Sequence, residues 1–572
     1  MGDPAQVYVN SKGLKQHQFD AIVVGSGISG GWAAKELCEK GLKTLVVERG
    51  KNVVHIKDYP TAFVPPWGFP HGLMNTTKEE ANDPVSSGIY NPGNKSFYAS
   101  DLEHPYIQDD PFNWIRGYQV GGRSLTWGRQ CYRWSDLDFE ANLKDGHGVD
   151  WPIRYKDIEP WYDYVEEFTG ISGRAEGLSQ LPDGDFLPAI EMNCIEDYFA
   201  SQVSAHYKNR RVTPARVANL SRGWKGRGPC QYRNLCDRGC PFGGYFSSNS
   251  ATLPAAQATG NLSVVYDAVV KEVIYDSKLN RASGVRIIDA HTKEVTEYFA
   301  KIIFLNASTI DTASIVLRSV SSRFPDGLGN DSQQAGHNLM DHFTGAGATG
   351  DYAGMTDKYY YGRKPAGIYI PRFRNLNEET SRKDYVRGWG YQASGDRKNW
   401  QLLGNELPGF GRDFKEQILK PGPWTIWMGG WGETLPYFNN RISFDDSKKD
   451  NWGFPIVHIH FSYGENEKAM KKDVEQSAVE MLTKAGFYNV QGFNYNSPPG
   501  SAIHEMGTVR MGKDPKTSVL NGNNQMHDVK NVFITDGSCM TSSASQNPSL
   551  TYMALTARAC DFAVNELKKG NI

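Results

Sequence analysis

The sequence predicts an α/β fold, α+β overall, on three observations. A strand, a glycine-rich turn, a helix and a second strand follow one another in "FDAIVVGSGISGGWAAKELCEKGLKTLVVERG", residues 19–50, which is a βαβ unit. The end of the chain, "NVFITDG" and then "NPSLTYMALTARACDFAVNEL", repeats strand then helix, with Pro548 in the first helical turn. Between these ends the pattern changes. "LSVVYDAVVKEVIYD" and "VTEYFAKIIFLNA" read as strands, an apolar helix is expected after Ser308, and aromatic-rich strands and loops run from about Asp351 to Pro499. A Rossmann-like domain that opens and closes the chain around a different middle accounts for this order.

At 572 residues the chain exceeds what one core organises, so two domains or more are expected. Its 62 Lys and Arg are interspersed among 64 Asp and Glu for a formal charge of -2, which leaves no polyanion-binding field, and nucleic acid is not an expected partner. The 14 Trp and 29 Tyr suit a site that stacks the flat faces of a polar ligand such as a sugar, and suit an ordinary core equally. "MGDPAQVYVNSKGLKQHQ" has neither the basic start nor the apolar run of a secretory signal, and Gln6 stands where a myristoylation motif needs Ser or Thr. Apolar runs such as Ala21–Val24 and Ile302–Leu305 fall far below the ~20 residues that span a bilayer. The expectation is a chain soluble by itself, with any export or anchoring supplied by a partner.

Gly25, Gly27 and Gly30 form G-x-G-x-x-G directly after a strand and at a helix start. The first permits the tight turn, the second lets a pyrophosphate approach the backbone, and the third lets helix pack closely on strand. Glu48 ends the second strand about 20 residues on, where a carboxylate takes a ribose 2′-hydroxyl. An adenine dinucleotide with an unphosphorylated ribose is expected, NAD and FAD being equally compatible with this motif.

Four later segments follow in order: "GYQVGGRSLTWG" (117–128), "ASTIDTASIVLRS" (307–319), "HEMGTVRMG" (504–512) and "NVFITDGSCMTSSASQNPSLTYMAL" (531–555). Together with the glycine turn the chain resembles the glucose-methanol-choline oxidoreductases from about Phe19 to Ala563. The resemblance implies FAD, bound non-covalently: the place where pyranose-oxidising relatives carry a flavin-linked histidine is Thr126 here. It implies that Gly121, Gly122 and Ser124 lie in the loop passing along the flavin, and that Asp536 and Gly537 approach its ribityl and phosphate groups. It also implies an FAD-binding domain of residues 16–130, 228–345 and 500–572, with a cysteine-rich insertion at 228–245. A discontinuous substrate-binding domain, 131–227 and 346–499, would be built on a mainly antiparallel sheet.

Oxidation of an alcohol by hydride transfer needs a base for the hydroxyl proton, and neutral imidazole suits that task near pH 7. Of 13 histidines, His504 matches the family's catalytic position, and Asn547 matches the second position, histidine or asparagine. Asn547, before Pro548, also reads as an ordinary helix N-cap. His458 and His460 in "PIVHIHFSY" share one face of an expected strand, but no carboxylate or cysteine stands close enough in sequence to complete a metal site, and none is expected there.

Three of the eight cysteines, Cys230, Cys236 and Cys240, fall within "PCQYRNLCDRGCPF" as C-x5-C-x3-C. A disulfide would leave an odd thiol, and zinc would need a fourth ligand that is not nearby. Three thiolates are enough for a [3Fe-4S] cluster, the reading preferred here. The insertion resembles that in flavin subunits of bacterial glucose, gluconate and glucoside 3-dehydrogenases; gluconate-type sequences add a cysteine where Arg233 stands. The basic stretch "KNRRVTPARVANLSRGWKGRG" before it is open to three readings: charge compensation, docking of an electron-accepting subunit, or a solvated loop.

The sequence is thus expected to specify an FAD-dependent sugar or glycoside dehydrogenase, with C3 of a glycoside the first-choice hydroxyl ahead of C1 of an aldose and C2 of a sugar acid. By the resemblance, a small subunit bearing the export signal and a cytochrome c or similar carrier are the expected partners, and the location is periplasmic through that subunit, otherwise cytoplasmic. The rivals are an oxygen-using pyranose or alcohol oxidase with structural cysteines, and a redox-idle or lyase-like flavin-binding protein.

Overall fold

The computed structural model describes residues 8–359, 365–398 and 407–572; residues 1–7, which carry part of the leader reading, lie outside them. Three sheets organise the described residues. In the largest, the strands Tyr8–Asn10, Leu262–Tyr266, Thr44–Val47, Gln18–Val24 and Val295–Leu305 are neighbours in that order and run parallel. The 11-residue strand Val295–Leu305 is shared on its far edge: its first half pairs antiparallel with Arg281–Asp289, its last residues parallel with Val532–Ile534. That sharing brings the closing segment of the chain beside its opening one. The central strands read as unbroken apolar runs because both of their faces are buried, as in parallel sheets generally. Ile28–Glu39 and Ser549–Lys569 cover one side, and Ala33, Leu37, Ala559 and Cys560 are buried there against Ala21, Val23 and Val46.

The second sheet is wholly antiparallel and takes its six strands from Tyr488–Asn494, Ala346–Tyr352, Trp424–Gly432, Trp389–Arg397, Ile368–Ile370 and Thr213–Pro214. A 20-residue helix, Glu465–Lys484, lies on it through Met470, Val474, Ala478, Met481 and Leu482. The expectation that strands and loops dominate 351–499 did not single out this helix, although the 4- and 3-residue spacing of those apolar positions marks it. The segment 131–227 divides. Trp134, Trp151, Ile158 and Tyr162 join the core that also holds Ile22, Leu45 and Leu550, whereas Ile195, Phe199 and Val203 of helix Cys194–His206 pack on the antiparallel sheet.

A third, three-stranded sheet pairs Arg441–Lys449 antiparallel with Pro455–His460, which lies parallel to Ile107–Gln108. No helix among the described residues is long and apolar enough to cross a membrane.

Candidate active site

The glycine turn folds as its sequence requires. Gly25 has φ +92°, and a Cβ there would stand 2.3 Å from the Asn306 carbonyl oxygen; a Cβ on Gly30 would stand 2.0 Å from the Gly25 carbonyl oxygen. Around Gly27 nothing lies within 4 Å of that position, because it faces a cavity. Helix Ile28–Glu39 begins there with no side-chain cap, so its first N–H groups remain available to an anion. The Glu48 carboxylate accepts from Ser26 N–H (3.1 Å), Ser26 Oγ–H (2.5 Å) and Gly50 N–H (2.9 Å), and burial raises its pKa.

The loop at 121–128 is clamped onto this turn. Gly121 N–H donates to Ser26 Oγ (2.9 Å), Ser124 Oγ donates to the Gly121 carbonyl (2.5 Å) and accepts from Ser248 N–H (3.0 Å), and Ser248 Oγ donates to the Gly27 carbonyl (2.9 Å). Gly121 has φ +94°, and a Cβ there would collide with the Asn249 side chain. Asp536 gathers the segments arriving from the other side: it accepts from Ser308 N–H (2.9 Å), Thr312 Oγ (2.6 Å), and Ser538 N–H and Oγ (3.0 and 2.5 Å), with its pKa raised by burial. Gly537 leaves room that a Cβ would lose to the Glu505 carbonyl oxygen at 2.4 Å.

One cavity runs along these pieces. Gly25, Gly27, Glu48, Gly122, Ser124, Thr126, Asp536 and Gly537 line it, and so do His504 and Asn547; Gly30 and Gly121 stand behind as packing glycines. Asn306 Nδ2 and the Tyr552 hydroxyl are buried on its wall without a hydrogen-bond partner, as expected of groups that await a polar ligand. The donor set and the open backbone at Gly27 fit an adenine dinucleotide.

His504 is set by a partner that the motif reading missed. Met340 and Met506 exchange backbone hydrogen bonds of 2.9 Å, which lays residues 340–342 alongside 504–506. His342 Nδ1 then lies 2.9 Å from His504 Nδ1, while His342 Nε2 lies 3.1 and 2.9 Å from the carbonyl oxygens of Ser543 and Ala544. Two acceptors require that Nε2 carry the proton, so Nδ1 of a neutral His342 accepts from His504 Nδ1–H, and Nε2 of His504 bears the lone pair. Both rings are neutral. Burial, with His342 and the Arg123 charge adding to it, holds His504 well below the ordinary imidazole value, and burial lowers His342 to about 4.

Asn547 does not cap the C-terminal helix; the residue at that place is Pro548, and no side chain caps it. Instead Gln392 Nε2 donates to Asn547 Oδ1 (2.9 Å), which turns the amide nitrogen toward His504 Nε2 at 3.3 Å. Gln392 belongs to the antiparallel sheet, so that sheet reaches the start of the C-terminal helix beside His504. Beneath, Asp341 accepts from the N–H groups of Gly500 (2.8 Å), Ala502 (3.4 Å) and His504 (3.0 Å), fixing the segment that carries His504. Burial and then the Glu505 charge raise Asp341 to about 7. Arg123 pairs with the buried Glu505 carboxylate at 2.8 Å on the same wall.

Cys230, Cys236 and Cys240 surround a second, small cavity, and all eight cysteines are unpaired. Two of the sulfurs already accept N–H bonds, Cys230 from Tyr232 (3.4 Å) and Cys240 from Gly244 (3.3 Å). Arg233 donates to the Ala62 carbonyl and stacks between Phe63 and Phe242, at 5.0 and 5.7 Å. Tyr245 lines this small cavity, and its hydroxyl donates 2.7 Å to the carbonyl of Leu125, next to Thr126 on the main cavity wall. In the preceding basic stretch Arg210 and Arg216 are buried against Glu480 and Asp183, so they form no free docking patch.

The chain is similar over its whole length to known enzymes. It is 26% identical to 2-methyl-1,2-propanediol dehydrogenase of Mycolicibacterium austroafricanum, covering 95% of each chain. It is 25% identical to the fructose dehydrogenase large subunit of Gluconobacter japonicus, covering 96% of this chain and 98% of that one. Among solved structures, formate oxidase of Aspergillus oryzae RIB40 shares the fold with a TM-score of 0.61 at 14% identity, over 97% of this chain and 99% of that one. Residues 19–344 match the N-terminal and 436–556 the C-terminal model of the GMC oxidoreductases, and the chain belongs to that family of FAD-dependent enzymes, which oxidise the CH–OH groups of alcohols or sugars.

Proposed function

We propose that the protein is a sugar or glycoside dehydrogenase that oxidises a ring hydroxyl, C3 of a glycoside in the first instance, to a ketone. The observation that carries this reading is the chain Gln392–Asn547–His504–His342, which presents an unprotonated imidazole nitrogen beside an amide donor on the cavity wall. His504 Nε2 takes the hydroxyl proton, and the Asn547 amide holds the substrate oxygen as the carbonyl forms. Bound FAD supplies the acceptor for the hydride that leaves the same carbon. Gly25, Gly27 and Glu48 would hold its adenine half, and Gly122, Ser124, Asp536 and Gly537 would hold the rest. The N-terminus of helix Ser549–Lys569, with Pro548 and Ser549 on the cavity wall, turns its positive end toward the reacting region.

Cys230, Cys236 and Cys240 would hold a [3Fe-4S] cluster, which supplies one-electron transfer toward a carrier such as a cytochrome c. The thiol set, the two N–H···S bonds and the Tyr245 link to the cavity wall support this assignment. The similarity to a large subunit supports a multi-subunit enzyme, in which a small partner supplies export to the periplasm. The test is anaerobic reduction of the purified protein by a panel of sugars and glycosides, with the product identified by NMR and EPR recorded on the oxidised sample. Glycoside-dependent bleaching, a 3-keto product and an iron–sulfur signal are expected. Hydrogen peroxide formed in air as fast as an artificial dye is reduced would instead establish an oxidase.

A further inference from the structure

The three-stranded sheet places a carboxylate where the sequence offered none. His458 and His460 lie two residues apart on strand Pro455–His460 and so point to the same face. Strand Ile107–Gln108 pairs parallel with them, His458 opposite Ile107, and Asp109 follows with its N–H 3.3 Å from the Ile459 carbonyl. The Asp109 carboxylate thereby arrives between the two rings. Asp109 Oδ1 is 2.6 Å from His458 Nε2, Asp109 Oδ2 bonds His460 Nδ1, and the ring centroids are 4.1 Å apart. One donor atom from each residue lies within 4.8 Å of the other two, a separation that three ligands of one small cation can close. Behind the ligands, Ser443 Oγ meets the other nitrogen of His460, Nε2, at 2.8 Å; a hydroxyl there can accept the Nε2 proton and leave Nδ1 free to ligate.

We propose that Asp109, His458 and His460 form a site for a divalent cation of the zinc class. Two imidazoles and a single carboxylate select zinc, nickel or copper over magnesium or calcium, which prefer all-oxygen shells. The side chains are 26%, 15% and 54% exposed for His458, His460 and Asp109, so water can complete the coordination and the ion can reach the site from solvent. None of the three lines the flavin cavity, and the role that follows is structural. The cation would tie the hairpin 441–460 to the segment 107–113, where Asn113 N–H donates to the Pro499 carbonyl (2.8 Å) and Asn113 Nδ2 to Ser501 Oγ (3.0 Å), just ahead of His504.

The test is zinc uptake by the purified flavin-loaded protein after washing with a chelator, measured by calorimetry on wild type, Asp109→Asn, His458→Ala and Ser443→Ala. Thiolates elsewhere in the chain can also take zinc, so the difference between proteins is the readout. Wild type is expected to bind one more zinc per chain than Asp109→Asn or His458→Ala, and to melt at a higher temperature with zinc than with chelator. Ser443→Ala is expected to keep the stoichiometry with about 10-fold or more weaker affinity. Flavin content and turnover in chelator serve as the folding control for each variant. Equal stoichiometry and affinity in wild type, Asp109→Asn and His458→Ala overturn the proposal, as does a zinc-induced rise in melting temperature that survives in both variants.

Discussion

His342 Nδ1 lies 2.9 Å from His504 Nδ1, and through that contact a residue outside every recognised motif decides which nitrogen of His504 bears the lone pair. The carbonyls of Ser543 and Ala544 hold the proton of His342 on Nε2, so the contact works in one tautomer. His342→Ala leaves His504 free to place its proton on either nitrogen and leaves two buried carbonyls without a donor. Turnover is expected to fall roughly 100-fold or more, in line with what a general base and its tautomer contribute. His342→Gln, with an amide oxygen for His504 and an amide N–H for the carbonyls, is expected to recover part of that loss. A variant series assayed with a dye acceptor at constant flavin content distinguishes this from simple misfolding.

The depressed pKa of His504 sets the pH dependence of the chemistry. A base must be unprotonated, and the proposed one, His504, is held well below the ordinary imidazole range by burial, His342 and Arg123. The acidic limb of kcat/KM is therefore expected below pH ~6.5, with a plateau through neutrality. Asn547→Asp replaces an amide 3.3 Å from Nε2 with a carboxylate that favours the imidazolium. Its acidic limb is expected to move to higher pH, and a pH–rate profile of both proteins reads the shift.

Stability carries the same signature with a definite sign. His342 is held neutral at about 4 in the folded chain, against ~6.5 when unfolded, so unfolding binds a proton between these values. The stability this residue contributes is fully present above pH ~6.5 and is lost as pH falls toward 4. Asp341, raised to about 7, acts in the opposite sense: its contribution is full below pH ~4 and declines as pH rises toward 7. Melting temperatures measured from pH 4 to 7 are expected to fall less steeply on the acid side for His342→Gln than for wild type.

The parts of the site that were legible in the sequence are those set by local chain geometry. Gly25 and Gly30 are demanded by a positive φ and by a backbone contact only a few residues away, so spacing alone exposes them. His504 and Asn547 were singled out by the family resemblance of the segments that hold them, and the three cysteines by their spacing. The missing residues depend on pairings distant in sequence. His342 meets His504 across 162 positions, Gln392 meets Asn547 across 155, and Asp109 meets His458 across 349, the first and last through bridge or strand pairing and the second through side chains alone, and no local pattern encodes any of them. Asn547 shows the reverse error: Asn before Pro at a helix start reads as a cap, but the pull of Gln392 from the other sheet turns the side chain away.

The glycine turn separates a requirement of the fold from a requirement of the ligand. Gly30→Ala would put a methyl 2.0 Å from the Gly25 carbonyl, a backbone contact that cannot yield, and is expected to lower both expression and melting temperature. Gly27→Ala meets no protein atom within 4 Å and has an ordinary helical-start backbone, with φ -63°. Its apoprotein is expected to melt within about 2 °C of the wild-type apoprotein, since surface-like substitutions cost ~0.5 kcal/mol or less. Its FAD affinity is expected to drop at least about 10-fold, since the methyl enters the space a pyrophosphate needs. Flavin absorbance per protein after gel filtration, beside apoprotein melting curves, separates the two effects.

If Cys230, Cys236 and Cys240 hold the proposed cluster, hydride chemistry and electron exit can be uncoupled there. Cys240 Sγ accepts from Gly244 N–H, and its pocket reaches the main cavity wall through Tyr245 and Leu125 rather than through any residue that touches His504. Cys240→Ser removes a soft ligand while keeping nearly the same volume, so the Asn547–His504–His342 arrangement is left in place. Anaerobic bleaching of the flavin by substrate is expected within about 2-fold of the wild-type rate, because His504 and Asn547, the proposed base and amide, are untouched. Reduction of a cytochrome c acceptor is expected to fall at least about 10-fold, together with loss of the iron–sulfur EPR signal of the oxidised protein. Arg233→Ala is the informative control. Its guanidinium is committed to the Ala62 carbonyl and the rings of Phe63 and Phe242, so the EPR signal is expected to persist without it. Equal cytochrome reduction by wild type and Cys240→Ser would mean that electrons leave the enzyme by a route that does not use these thiolates.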